Sequence, residues 1–77
     1  MPRFSGVRLR AARVSAGHPV TFLAWTVGKS SETVRAYERD AIDPPASVLG
    51  KMAAALGVPV ETFFDASEDA NGGRRAA

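Results

Sequence analysis

The side chains best placed to do chemistry lie in residues 29–39, Lys-Ser-Ser-Glu-Thr-Val-Arg-Ala-Tyr-Glu-Arg, and their chemistry is recognition rather than bond-making. Arg35 carries a forked donor, Glu32 an acceptor and Ser31 a hydroxyl that does either, while Ala36 adds a methyl group. At helical spacing these four share one outward face, with Lys29 and Arg39 flanking it. The residue sets needed for catalysis are missing. There is no acid pair placed for proton transfer, no Ser–His–acid arrangement and no phosphate-cradling glycine loop. One histidine and no cysteine exclude a thiolate or histidine-rich metal centre. The chain is therefore expected to be a non-enzyme, with no cofactor and no metal.

The elements that must position these residues are short helices. Ser5 is placed to cap a first helix from about Gly6 to Ala16, whose Leu9, Ala12 and Ala16 recur at helical spacing. Pro19 fits the first position of a second helix that ends near Val27 and turns Val20, Leu23, Ala24 and Val27 to one side. Gly28 permits a sharp turn, and Ser30 caps a third helix, Ser31 to about Arg39, with Val34 and Tyr37 facing inward. Thr33 stands where a glutamate would complete a capping box, so that box is absent. A fourth helix runs from about Pro45 to Leu56 and buries Val48, Leu49, Met52, Ala53 and Leu56. A short fifth, opened by Pro59, carries Val60, Phe63 and Phe64. No alternation suggests strands. Residues 66–77 are small, polar and charged and read as a disordered tail, leaving one domain over residues 1–65.

Seventy-seven residues make one small domain, for which a helical bundle is the simplest core. Net charge is only +2, but it is unevenly spread. Residues 1–39 hold seven basic against two acidic side chains, a net +5; residues 40–77 hold three against six, a net −3. Such a division suits a protein that presents one face to phosphates. No apolar run approaches a membrane span and the N-terminus lacks a signal peptide's apolar core, so the expected location is cytoplasmic, at the nucleoid when DNA is bound.

Residues 19–39 thus encode two helices joined by a tight turn, with Leu23-Ala24 in the first, Gly28 in the turn and Val34, Tyr37 and Glu38 in the second. From Leu9 to Phe64 the chain resembles the Cro-type and lambda-repressor-like helix-turn-helix domains, also called the Xre type. Leu9, Arg13, Gly17, Leu23-Ala24, Gly28, Ser30, Val34, Tyr37-Glu38, Pro44, Ala53, Leu56-Gly57-Val58 and Phe63-Phe64 hold its motif positions without a gap. The resemblance implies an all-α, five-helix fold whose third helix enters the DNA major groove. The chain departs from the family where Thr or Ser followed by Gln usually opens helix two, having Pro19 and Val20. It departs again at His18 and Lys29, where an aliphatic residue is usual, and at Asp40, where glycine is usual.

What the resemblance implies for individual residues is specific. Ser31, Glu32, Arg35 and Ala36 become the readers of base edges. Arg35 can bond a guanine through two acceptors, Glu32 can accept from a cytosine amino group, Ser31 can bond several edges and Ala36 can touch a thymine methyl. Alternatively, Glu32 and Arg35 are an intrahelical surface pair. Lys29, Ser30, Arg39 and Thr21 are the phosphate contacts, with Arg3, Arg8 and Arg10 as further candidates. Arg13 and Glu38 form a structural salt bridge between helices one and three. His18 is read as a helix cap or half-buried spacer.

Phe22 and Trp25, opposite the buried stripe of helix two, are expected to form an exposed aromatic patch, and with Phe63 and Phe64 they are the candidate protein interface. The expected function is a small sequence-specific transcriptional regulator binding double-stranded DNA as a homodimer. The alternatives are a helix-turn-helix module or an antitoxin that binds a protein partner through Phe22 and Trp25.

Overall fold

The computed structural model describes residues 2–65. Strand β1 (Arg3–Phe4) leads into α1 (Gly6–Ser15), followed by α2 (Val20–Val27), α3 (Ser31–Glu38), α4 (Ala46–Leu56), a 3-10 helix (Val60–Phe63) and strand β2 (Phe64–Asp65). The expected tail at residues 66–77 lies outside the described residues.

Local chemistry sets each boundary. Ser5 is extended (φ −124°, ψ 116°) and its hydroxyl accepts the Arg8 N–H at 3.3 Å, which starts α1. Pro19 and Pro45 are N-caps rather than first helical residues: both have extended ψ, 164° and 159°. Neither has a side-chain acceptor, and their carbonyls instead take first-turn amides, Phe22 for Pro19 and Val48 and Leu49 for Pro45. Gly28 closes α2 in the left-handed region (φ 71°), where a side chain would be strained, and so reverses the chain into α3.

The core joins Leu9 of α1, Val20, Leu23, Ala24 and Val27 of α2, Val34 and Tyr37 of α3, and Val48, Met52, Ala53 and Leu56 of α4, closed by Phe4 and Phe63. The helix-two and helix-four stripes lie inward as expected, with Leu49 packed at the edge of the core. Ala16, expected on the inner face of α1, is its exposed C-cap; the inner place at the other end belongs to Gly6.

Two expectations need correcting. The described residues form four α-helices, not five, because the chain after Pro59 makes only a four-residue 3-10 helix before Phe64 turns extended (φ −108°, ψ 140°). It is also not purely helical. Phe64 leaves the helix to pair antiparallel with Phe4, and Arg3 with Asp65. Their rings meet edge to face at 6.4 Å, and the Ser5 amide donates to the Phe63 carbonyl at 2.8 Å. This small ribbon ties the first described residues to the last. Among the described residues no helix is long and apolar enough to cross a membrane.

Candidate nucleic-acid interface

The outward face of α3 is built from its cap upward. Ser30 is extended (φ −80°, ψ 159°); its hydroxyl accepts the Thr33 N–H at 3.1 Å and shares a hydrogen bond with the Thr33 hydroxyl at 3.0 Å. Thr33 thus braces the cap without closing a capping box. Val34 and Tyr37 anchor the other side of the helix in the core, at 0% and 2% exposure. That leaves Glu32 and Arg35 exposed, with Ser31 and Ala36 half-buried at the margins of the same face. Among the described residues no ion pair joins Glu32 to Arg35, so both side chains are uncommitted.

Beside this face lies an open cleft of about 630 Å³, walled by Arg10 and Arg13 of α1, Pro19 to Thr21 at the start of α2, and Arg35, Glu38 and Arg39 at the end of α3. Its floor is neutralised. The Arg13 Nε donates to Glu38 Oε2 at 2.7 Å and its Nη2 to Oε1 at 3.1 Å, a bidentate pair, while Nη1 donates to the His18 carbonyl at 2.9 Å. The Glu38 hydrogen bond raises the Arg13 pKa above its ordinary value; partial burial opposes the shift and the carboxylate charge adds to it. Arg13 is thereby locked as a strut between α1, α3 and the α1–α2 turn. The exposed charges left on the walls are Arg10, Arg35 and Arg39, all positive. Anions are the complementary ligands for such a cleft, next to the first turn of α2, which has no side-chain cap.

The structure brings Thr21, Arg35 and Arg39 to one surface and leaves Lys29 and Ser30 exposed at the turn between α2 and α3. Arg10, named in the sequence only as one of several scattered arginines, belongs to the cleft; the signal was its three-residue spacing from Arg13, which puts both on one side of α1. Val20 is 8% exposed and belongs to the core, so it offers no polar group here.

The expected aromatic patch is corrected. Trp25 is 83% exposed, but Phe22 is half-buried against the core and stacks on the His18 ring at 3.9 Å. His18 is therefore a covering ring, and Pro19, not His18, caps α2. Phe63 is fully buried, which removes it from any surface, and Phe64 is half-buried against Phe4.

A compact set of four helices with a glycine-turned helix pair at its centre and a cationic face beside the second helix of that pair defines a helix-turn-helix domain. The chain belongs to the helix-turn-helix family: the model of that domain matches residues 6–63. It is of the Cro- and lambda-repressor-like, or Xre, kind. Solved structures resemble it, among them the following two. One is the restriction-modification controller protein C.AhdI from Aeromonas hydrophila, with 29% identity over 77% of this chain and 89% of that chain and a TM-score of 0.71. The other is a hypothetical transcription factor, NHTF, from Neisseria, with 31% identity over 86% of this chain and 77% of that chain and a TM-score of 0.69. No curated protein matches the chain.

Proposed function

We propose that the chain is a sequence-specific DNA-binding transcriptional regulator. The observation that carries this reading is the juxtaposition of an uncommitted Glu32–Arg35 face on α3 with the Arg10, Arg35 and Arg39 cleft. Helix α3 lies in the major groove, where Arg35 bonds a guanine edge and Glu32 accepts from a cytosine amino group. Ser31 and Ala36 border the read base pairs. Lys29, Ser30, Thr21 and Arg39, joined by Arg10, hold the phosphates and set the orientation of α3. The resemblance to a controller protein and to a transcription factor supports this reading.

A single domain this small covers one half-site, so two copies on a two-fold site one helical turn apart complete the operator. A protein-docking role draws its support from an aromatic patch, and Phe22 is withdrawn from that patch under His18.

Selection from random-sequence duplexes, followed by anisotropy titration of the selected DNA with wild type and Arg35→Ala at two salt concentrations, tests the proposal. A consensus whose selection is lost in Arg35→Ala is the expected result. Weak, unselective binding indifferent to Arg35 would overturn it.

A further inference from the structure

Trp25 has no role in the fold. It is 83% exposed, and among the described residues its indole N–H has no hydrogen-bond partner. Among the described residues the other exposed large apolar side chains, Val7, Val14 and Ile42, stand on α1 and the loop after α3, so none of them extends Trp25 along α2 into an apolar patch. A lone exposed tryptophan offers a partner one flat ring and one N–H donor.

Its position on α2 says which partner. At about 100° per residue, the flank of the buried stripe that carries Thr21 also carries Trp25, one turn later, whereas Phe22 and Thr26 occupy the opposite flank. Thr21 lines the cationic cleft with Arg10, Arg35 and Arg39. Trp25 itself lies outside the cleft lining, on the outer face of α2 one turn beyond Thr21 and on the Thr21 side of it. That flank leads directly to the exposed Lys29 at the turn, and α2 has no acidic side chain to repel an anion.

We propose that Trp25 is a DNA-backbone contact: its ring packs on a deoxyribose and its Nε1–H donates to a phosphate oxygen, between the phosphates held by Thr21 and Lys29. This rests on the DNA-binding reading above and extends it to a residue that anchors without reading sequence. Sugar faces are apolar and phosphates are acceptors, so the sugar-phosphate strand satisfies both parts of the indole.

Trp25 is the single tryptophan of the chain, so its fluorescence reports the contact directly. The experiment is acrylamide quenching of the full chain with and without random-sequence duplex of about two helical turns. It is paired with anisotropy titrations of Trp25→Ala and Trp25→Phe on that duplex and on the selected consensus. DNA is expected to shield Trp25. Trp25→Ala is expected to weaken both duplexes by a similar factor, about five- to tenfold, with the consensus unchanged, and Trp25→Phe to fall between.

If DNA binds with Arg35-dependent selection while Trp25 stays quenchable and Trp25→Ala binds like wild type, this proposal fails and the regulator reading stands. If wild type binds no duplex even at low salt, both fail. Shielding of Trp25 in DNA-free protein that grows with concentration would assign the ring to a second copy and overturn the contact.

Discussion

The backbone N–H of Gly6 donates to the Asp40 Oδ1 at 2.8 Å, a bond that spans 34 residues and caps the first turn of α1 from the far end of α3. Two features make it work. Gly6 lies so close to the end of α3 that a Cβ there would fall on the Tyr37 and Glu38 carbonyls. Asp40 adopts the left-handed conformation (φ 61°), which ends α3 and swings its carboxylate back toward α1. A position where glycine is usual thus holds an aspartate that trades backbone ease for a capping acceptor at a helix N-terminus.

Asp40 substitutions should separate those two effects. Asp40→Ala keeps the strained φ and loses the acceptor, and should lower stability by about 1.5–3 kcal/mol in urea denaturation. Asp40→Gly removes the strain as it removes the acceptor and should lie within about 1 kcal/mol of wild type. Asp40→Asn keeps an acceptor and tolerates the left-handed region, so its loss should be the smallest. Equal losses for Ala and Gly would mean that backbone strain contributes nothing.

Glycine-to-alanine exchange should have opposite signs at two helical positions. In Gly6→Ala the methyl would stand 2.6 Å from the Glu38 carbonyl carbon, a backbone atom that cannot yield cheaply. Destabilisation of about 2–4 kcal/mol, with α1 displaced from α3, is expected. Gly50 is exposed on α4 and its added Cβ meets nothing within 4 Å, so Gly50→Ala should stabilise by about 0.5–1 kcal/mol. Thermal unfolding of the two variants decides both.

The sequence was most legible where a local signal suffices. Ser5 and Ser30 mark the starts of α1 and α3, and the Val20-Leu23-Ala24-Val27 spacing marks the face of α2; each depends on residues within one or two turns. The ribbon was not legible, since two-residue strands have no periodicity and exist only because Phe4 and Phe64 meet in space. That same pairing shortened the expected fifth helix. Phe22 departs from its expected exposure for a related reason. It lies off the buried stripe, and helical spacing cannot show that the turn after α1 lays the His18 ring over it. The cleft was half legible, because Arg10 joins Arg35 and Arg39 only once α1 has packed on α3.

Arg13 and Glu38, at 13% and 7% side-chain exposure, should be strongly coupled. Removing the guanidinium in Arg13→Met strands a partly buried carboxylate, and Glu38→Leu leaves a partly buried cation with only the His18 carbonyl. Each should cost about 2–4 kcal/mol, below the loss for a fully buried pair, and the double variant should recover a large part of it. A double-mutant cycle from urea denaturation measures the coupling. Additive losses would mean that the two groups are held independently, by the His18 carbonyl on one side and water on the other.

Arg10 and Arg39 should separate from Arg35 in how their loss is felt. Arg10 and Arg39 are exposed cations on the cleft walls; if they meet phosphates, each releases a counterion when DNA binds. Replacing either with alanine should weaken selected and random duplexes alike and lower the log–log salt slope by about 0.9 per contact. Arg35 also borders the cleft but stands on the outer face of α3, and its loss should fall on one base pair, at about 1–3 kcal/mol of discrimination. Anisotropy titrations over a salt series on matched and mismatched duplexes measure both quantities. A base-specific loss from Arg10→Ala would put a base reader on α1, and a uniform loss from Arg35→Ala would make Arg35 a phosphate contact instead of a base reader.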